Sequence, residues 1–210
     1  MSRKLPLLLM TSMLALVACS SKSKDDVASA SSTPTNPALA VPNGPPAVAN
    51  PTVGGVPMMA TRTIIDNASA APNLSFLVTA VKAADLVPTL SGSGPFTVFA
   101  PTNDAFGRLA PGMVDTLLKP ENKSSLTKVL TYHVVPGAIT ADDLRQRIAA
   151  GGGNTTLITV EGDPIVASLV GAVITLTDVN GNKSYVETAD VRQSNGVVHV
   201  VNGVIVPKLG

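Results

Sequence analysis

Between Leu74 and Leu86 apolar residues return every three or four positions, so that Phe76, Leu77, Ala80, Val81 and Ala84 share one face of a predicted helix. Leu86 and Pro88 close it. In the next stretch, GPFTVFAPTNDAFGRL, residues Phe96 to Phe99 read as a short strand, a proline turn follows, and a helix opens with Thr102 as its N-cap. Asn103 and Asp104 fall in its first turn, where the helix dipole favours negative charge. The segment SSLTKVLTYHVVPGAITADDLRQRIAAGGG predicts a helix with Leu126, Val129 and Leu130 inward, broken at Pro136-Gly137. A further helix starts at Thr140, with Asp143 three residues on in a capping box where Asp replaces the usual Glu, and Gly151 to Gly153 end it. Adjacent helical residues point about 100° apart, so the neighbouring carboxylates Asp142 and Asp143 are read as caps rather than as an acid–base pair.

Beyond Gly153 the helical period gives way to short runs rich in β-branched residues: TTLITVEG, PIVASLV, AVITLTDV, SYVETADVRQ, GVVHVV and GVIVP. Gly, Asn and Asp separate them. NGNK at 180–183 and Asn202-Gly203 are hairpin signals, since a type I′ turn needs positive φ at both central residues. With Asn202-Gly203 as a two-residue turn, His199 would face Val206 and share a sheet face with Val197 and Val201. Runs apolar on both faces imply a strand covered on both sides. Helices first and a mainly antiparallel sheet afterwards make the expected class α+β.

The amino-terminal part has no such period. Arg3 and Lys4 precede an apolar run of 14 residues, Leu5 to Ala18, too short at about 1.5 Å per residue for a hydrocarbon core roughly 30 Å thick. It reads as a signal peptide over residues 1–18. Leu16-Val17-Ala18-Cys19 resembles the lipobox of bacterial lipoproteins, which implies that Cys19 is lipidated and becomes the first mature residue. Ser20 in place of Asp favours an outer-membrane anchor. Residues 19–62, rich in Pro, Ala, Ser and Asn, are expected to form a tether spanning roughly 35 Å root-mean-square. Residues 63–210 are the expected folded domain.

Composition narrows the chemistry. Hydrophobic residues make up 45% of the 210-residue chain but aromatics only 3%, with no Trp, so the core must be aliphatic. The net charge of +1, without a basic cluster, argues against a nucleic-acid partner. Removing Arg3 and Lys4 from the 15 basic residues leaves 13 against 14 acidic. A lone, lipidated cysteine excludes disulfides, cysteine-ligated zinc and a thiol nucleophile. The two histidines, His133 and His199, lack the spacing of a zinc motif, and no nucleophile elbow, P-loop or dinucleotide fingerprint is present. No catalytic residue, metal or cofactor is implied. His133 falls three and four residues beyond Leu130 and Val129, on the inward face, as a hydrogen-bonded core residue; Tyr132 is expected to point outward. Asn-x-Ser/Thr matches at Asn67, Asn73, Asn122, Asn154 and Asn182 are read as surface loops.

Four blocks, TIIDNASAAPNLSFLVTAVKAADL, GPFTVFAPTNDAFGRL, LTYHVVPGAITADDL and NGVVHVVNGVIVP, resemble in order and spacing those of a fasciclin domain, over about Thr63 to Leu209. The resemblance implies a wedge of two sheets with helices packed at one side, in a single copy. It marks Thr102, Asn103, Asp104, His199, Asn202 and Gly203 as structural family positions. It also implies an extracellular module for adhesion or protein interaction, with no common catalytic chemistry. In animal relatives the Tyr-His pair matching Tyr132-His133 is linked to integrin binding, which makes these two the candidate interaction residues. The resulting expectation is a non-enzymatic cell-envelope lipoprotein, held to the membrane at Cys19, facing the periplasm or the cell surface and displaying the domain to a surface protein or matrix partner. Two alternatives are a carrier of a small apolar ligand, carotenoid or lipid, and a structural envelope or matrix protein.

Overall fold

The computed structural model describes residues 50–109 and 112–208. The expected signal peptide, the expected lipidation site Cys19 and the expected tether up to residue 49 lie outside them. Thr52–Val53 (β1) and Val56–Pro57 (β2) form a small antiparallel hairpin, followed by helices Ile64–Ala70 (α1), Ser75–Ala83 (α2) and Val87–Leu90 (α3). Strand Phe96–Pro101 (β3) leads to helices Asn103–Gly107 (α4), Met113–Leu117 (α5) and Lys123–Tyr132 (α6), then to strand Val134–Pro136 (β4) and helix Ala141–Ala150 (α7). The chain ends in Asn154–Ile158 (β5), Pro164–Val170 (β6), Val173–Thr177 (β7), Lys183–Gln193 (β8) and Gly196–Val201 (β9). The class is α+β.

The larger sheet runs β4-β3-β9-β8-β7-β6-β5. All its pairings are antiparallel except β3 with β9, which sets Phe99 beside His199. In place of the expected two separate sheets there is one continuous sheet that turns at β8, whose first residues pair with β7 and whose later ones pair with β9. Register shifts between Val186 and Val191 interrupt the ladder there, as bulges do where a strand passes from one sheet direction to another. At the far edge the Val160 amide donates to the Val134 carbonyl, linking the segment after β5 back to β4.

Central strands β3 and β9 are covered on both faces, as their uninterrupted apolar runs require. Val98, Ala100, Val198 and Val200 pack into a cluster with α1, α2 and α6. Phe99 and Val201 point the other way, into a cluster with Leu144 and Ile148 of α7 and Ile165, Ile174 and Leu176 of the sheet.

Four expectations are corrected. Folded structure is already present at Asn50, ahead of the expected boundary at 63: Val53 and Met58 are buried in the core, and the Asn50 side chain pairs with both the N–H and the carbonyl of Arg192. Composition concealed this, because two buried side chains anchored by an asparagine leave no periodic trace. Phe76 is 46% exposed; the buried residues of α2 are Leu77, Val78, Ala80 and Val81, continued by Ala84, and Phe76 lies beside them against Phe106. Asn67, read as a loop residue, is buried in α1 and its amide group bonds Met59 and Gln193.

The fourth concerns Asn202-Gly203, which makes no hairpin. Neither residue has positive φ, as a type I′ turn would require. Residues 203–207 form no strand because side chains take their backbone groups: Ser184 donates to the Gly203 carbonyl, His133 accepts from Ile205, Asp178 from Val206, and Asn180 donates to the Val206 carbonyl. Gly203 lies close to Ser184, so that an added Cβ would sit 3.1 Å from its Oγ and the serine would have to give slightly. The hairpin at 180–183 does form, joining β7 to β8, but through a longer loop in which Gly181 alone has positive φ and Asp178 caps the turn.

Candidate functional site

Helix α6 carries the Tyr-His pair at its end. The expectation that Tyr132 points outward is wrong: its side chain is fully buried. The phenol donates to the Pro164 carbonyl at 2.8 Å and accepts from the Val179 amide at 3.2 Å. It is the polar peg between α6 and the ends of β6 and β7. Burial pushes its pKa up to about 12, against the lowering effect of the Val179 bond.

His133 is buried as well, at 2% exposure. Its Nδ1–H donates to the Val129 carbonyl one turn back, at 2.7 Å, and Nε2 accepts the Ile205 amide at 3.2 Å. Both ring nitrogens are thus spent on backbone, and the neutral tautomer is fixed. Burial lowers the pKa from 6.5 to about 4. The candidate interaction pair therefore offers no side-chain surface to a partner in this conformation.

His199 repeats the arrangement at the centre of the sheet. Nε2–H donates to the Ile139 carbonyl at 2.9 Å, Nδ1 accepts the Asp190 amide at 3.3 Å, and the ring stacks on Phe99 with centroids 5.6 Å apart. Desolvation lowers its pKa too. Its neighbour is Phe99 of β3 rather than Val206 across a hairpin. Asp190 sits at φ +58°, within the irregular stretch of β8, and its carboxylate accepts the Ala141 amide that opens α7. One bulged residue thereby joins the imidazole to the helix.

The remaining motif positions are structural. Thr102 Oγ1 accepts the Ala105 amide as N-cap of α4. Asn103 reaches across to α2, which has no cap of its own: Oδ1 accepts the Phe76 amide at 3.1 Å and Nδ2 donates to Pro72 O and Ser75 Oγ. Asp104 is exposed in the first turn of α4. At α7 Thr140 and Asp143 complete the capping box, and those bonds hold the Asp143 carboxyl below the usual range. Asn202 accepts the Tyr185 amide and donates its own amide to the Tyr185 carbonyl.

Two working residues carried no local signal. Asn195 accepts the Ile64 amide and donates to Leu90 O and Gly92 O, holding α1 and α3 to the start of β9. Buried Asp178 gathers the amides of Asn180, Asn182 and Val206. Among the described residues no three His, Cys, Asp or Glu side chains are grouped to hold a metal ion, and no helix is long and apolar enough to cross a membrane.

The outward side of β5–β8 contrasts with this occupied interior. Register pairs Thr156 with Val166 and Thr177, Ser168 with Thr175 and Tyr185, and Val170 with Val173 on one face. Val170, Val173 and Ile158 are 51%, 43% and 58% exposed, and Tyr185 is 37% exposed.

A mixed sheet with a parallel β3–β9 pair, flanked by helices and pinned by two neutral buried histidines, defines an α+β module whose chemistry-capable side chains serve the fold. A sequence model of the Fasciclin domain matches residues 72–207, and the chain belongs to that family. It is 49% identical over 151 residues to Protein sll1483 of Synechocystis sp., covering 70% of this chain and 74% of that protein. It is 33% identical over 195 residues to Immunogenic protein MPB70 of Mycobacterium bovis, covering 81% and 90%. Against transforming growth factor-beta-induced protein ig-h3 of Sus scrofa the identity is 34% over 148 residues, 69% of this chain but 19% of that longer one. The structure of a FAS1 domain pair from the insect cell adhesion molecule fasciclin I is similar with a TM-score of 0.61 at 21% identity, over 74% of this chain and 52% of that one, a likeness of fold alone.

Proposed function

We propose that this protein is a cell-envelope lipoprotein, anchored through Cys19 and displaying one fasciclin domain for adhesion or protein interaction at the surface. The observation that carries the reading is the outward face of β5–β8, where Thr156, Ile158, Val170, Val173 and Tyr185 are exposed around half-buried Val166, Ser168 and Thr177 and a buried Thr175. The histidines and Tyr132 support it from the other side, since each is committed to backbone bonds. Kinship with the adhesion molecule fasciclin I in fold agrees with the same reading.

The carrier alternative finds less support. The apolar pockets within the helical cluster, one of them lined by Phe106, Leu126 and His133, have room for about one water, far less than a carotenoid needs. Digestion of intact cells with an added protease, alongside an attachment assay of a deletion strain, tests the proposal. Loss of the domain from intact cells and weakened attachment on deletion are expected. Protection of the domain in intact cells would overturn surface display, and unchanged attachment would favour a structural role in the envelope.

A further inference from the structure

Where α4 ends, β8 begins and Asn202-Gly203 passes between them, the surface opens into a groove of roughly 310 Å³. Its composition differs from that of the sheet face. Arg108 and Lys183 both line it, together with Tyr185, Asn182, Asn202 and Leu109. Asp104 and Glu187, the carboxylates nearest in sequence, contribute no lining atom, and Asp178 is turned inward onto backbone amides. Neither cation is ion-paired among the described residues.

The groove is also held in shape. Arg108 Nη1 donates to the Asn202 carbonyl at 3.1 Å, Asn202 is bonded twice to the Tyr185 backbone, and Asn182 Nδ2 donates to Asp178 at 3.0 Å. Arg108 spends one N–H on that carbonyl and keeps the rest of its fork for a ligand. Two unpaired cations over a preformed floor favour an anion. Side-chain amides beside a half-exposed phenol ring suit hydroxyl groups and the flat C–H face of a pyranose.

We propose that this groove binds an acidic polysaccharide, with Arg108 and Lys183 receiving uronate carboxylates, Tyr185 stacking on a sugar ring, and Asn182 and Asn202 bonding its hydroxyls. The site stands whether or not the domain mediates adhesion, because binding in solution requires neither membrane nor cell.

The test is titration of the purified full chain with oligomannuronate, followed by calorimetry and by amide chemical shifts at Lys183, Tyr185 and Gly203. Saturable binding that weakens with salt is expected, with shifts confined to these positions. Lys183→Gln and Arg108→Gln should each weaken it about five- to tenfold. Lys183 is exposed, so its variant should fold normally, and Lys128→Gln, on the outer side of α6, should leave binding unchanged. An equal loss in Lys128→Gln, equal binding of uncharged cello-oligosaccharide, or equal competition by polyglutamate or inorganic phosphate would each overturn the assignment.

Discussion

Ile205 donates its amide to His133 Nε2 across 72 residues of sequence, at 3.2 Å. The bond ties the last core segment to the end of α6 and can form only while the imidazole is neutral. Protonation would turn the acceptor into a donor facing an N–H.

Stability should therefore fall in mild acid. Burial takes the His133 pKa from 6.5 to about 4, so between these values the unfolded chain binds more protons than the folded one. The contribution is complete above pH 6.5, is lost progressively as pH falls, and levels off below about 4, with a total of about 3 kcal/mol. His199 shifts in the same direction and adds to the effect. Asp143, lowered from 3.8, acts only below that window. Urea midpoints from pH 7.5 to 4.5 check this; a flat profile would show that the histidines titrate normally.

His199→Phe should preserve the stack on Phe99 while leaving the Ile139 carbonyl and the Asp190 amide without partners. The expected loss is about 2–4 kcal/mol, with surface interactions retained in the fraction that folds. Calorimetric melting paired with an attachment assay measures both. An unchanged melting temperature together with lost attachment would assign His199 to a binding surface instead.

Tyr132→Phe removes a donor to Pro164 and an acceptor for Val179 with little change in volume. A cost of about 1–2 kcal/mol is expected. Because the ring is buried, attachment measured below the melting transition should match the unmodified protein.

These residues also mark the reach of the sequence. Thr102 and the Thr140–Asp143 box were legible because a cap is complete within four residues, and β9 was legible because both of its faces are apolar. Asn202-Gly203 misled for the opposite reason: its partners Ser184, Tyr185 and Arg108 are distant, and their bonds displace the turn that the dipeptide alone prefers. Tyr132 and His133 show the same limit. Adjacent helical positions diverge by about 100°, which would expose one of them on an ordinary surface helix. At the end of α6 both sides are covered, His133 by Ile205 and Tyr132 by Pro164 and Val179. The groove at Arg108 and Lys183 is assembled from segments about 75 residues apart and leaves no motif at all.

Asn50 to Arg62 offers the last test, because composition assigns this segment to the tether and packing assigns it to the domain. A chain starting at Thr63 would lose the burial of Val53 and Met58, the two bonds between Asn50 and Arg192, and the Met59 backbone that bonds Asn67. Burying two such side chains contributes about 3 kcal/mol or more, and Asn67 would remain behind with part of its amide unpaired. Denaturant unfolding of chains starting at Asn50 and at Thr63 should show the longer one more stable by about 1–3 kcal/mol, since ordering the segment offsets part of that burial. Equal midpoints would return the hairpin to the tether.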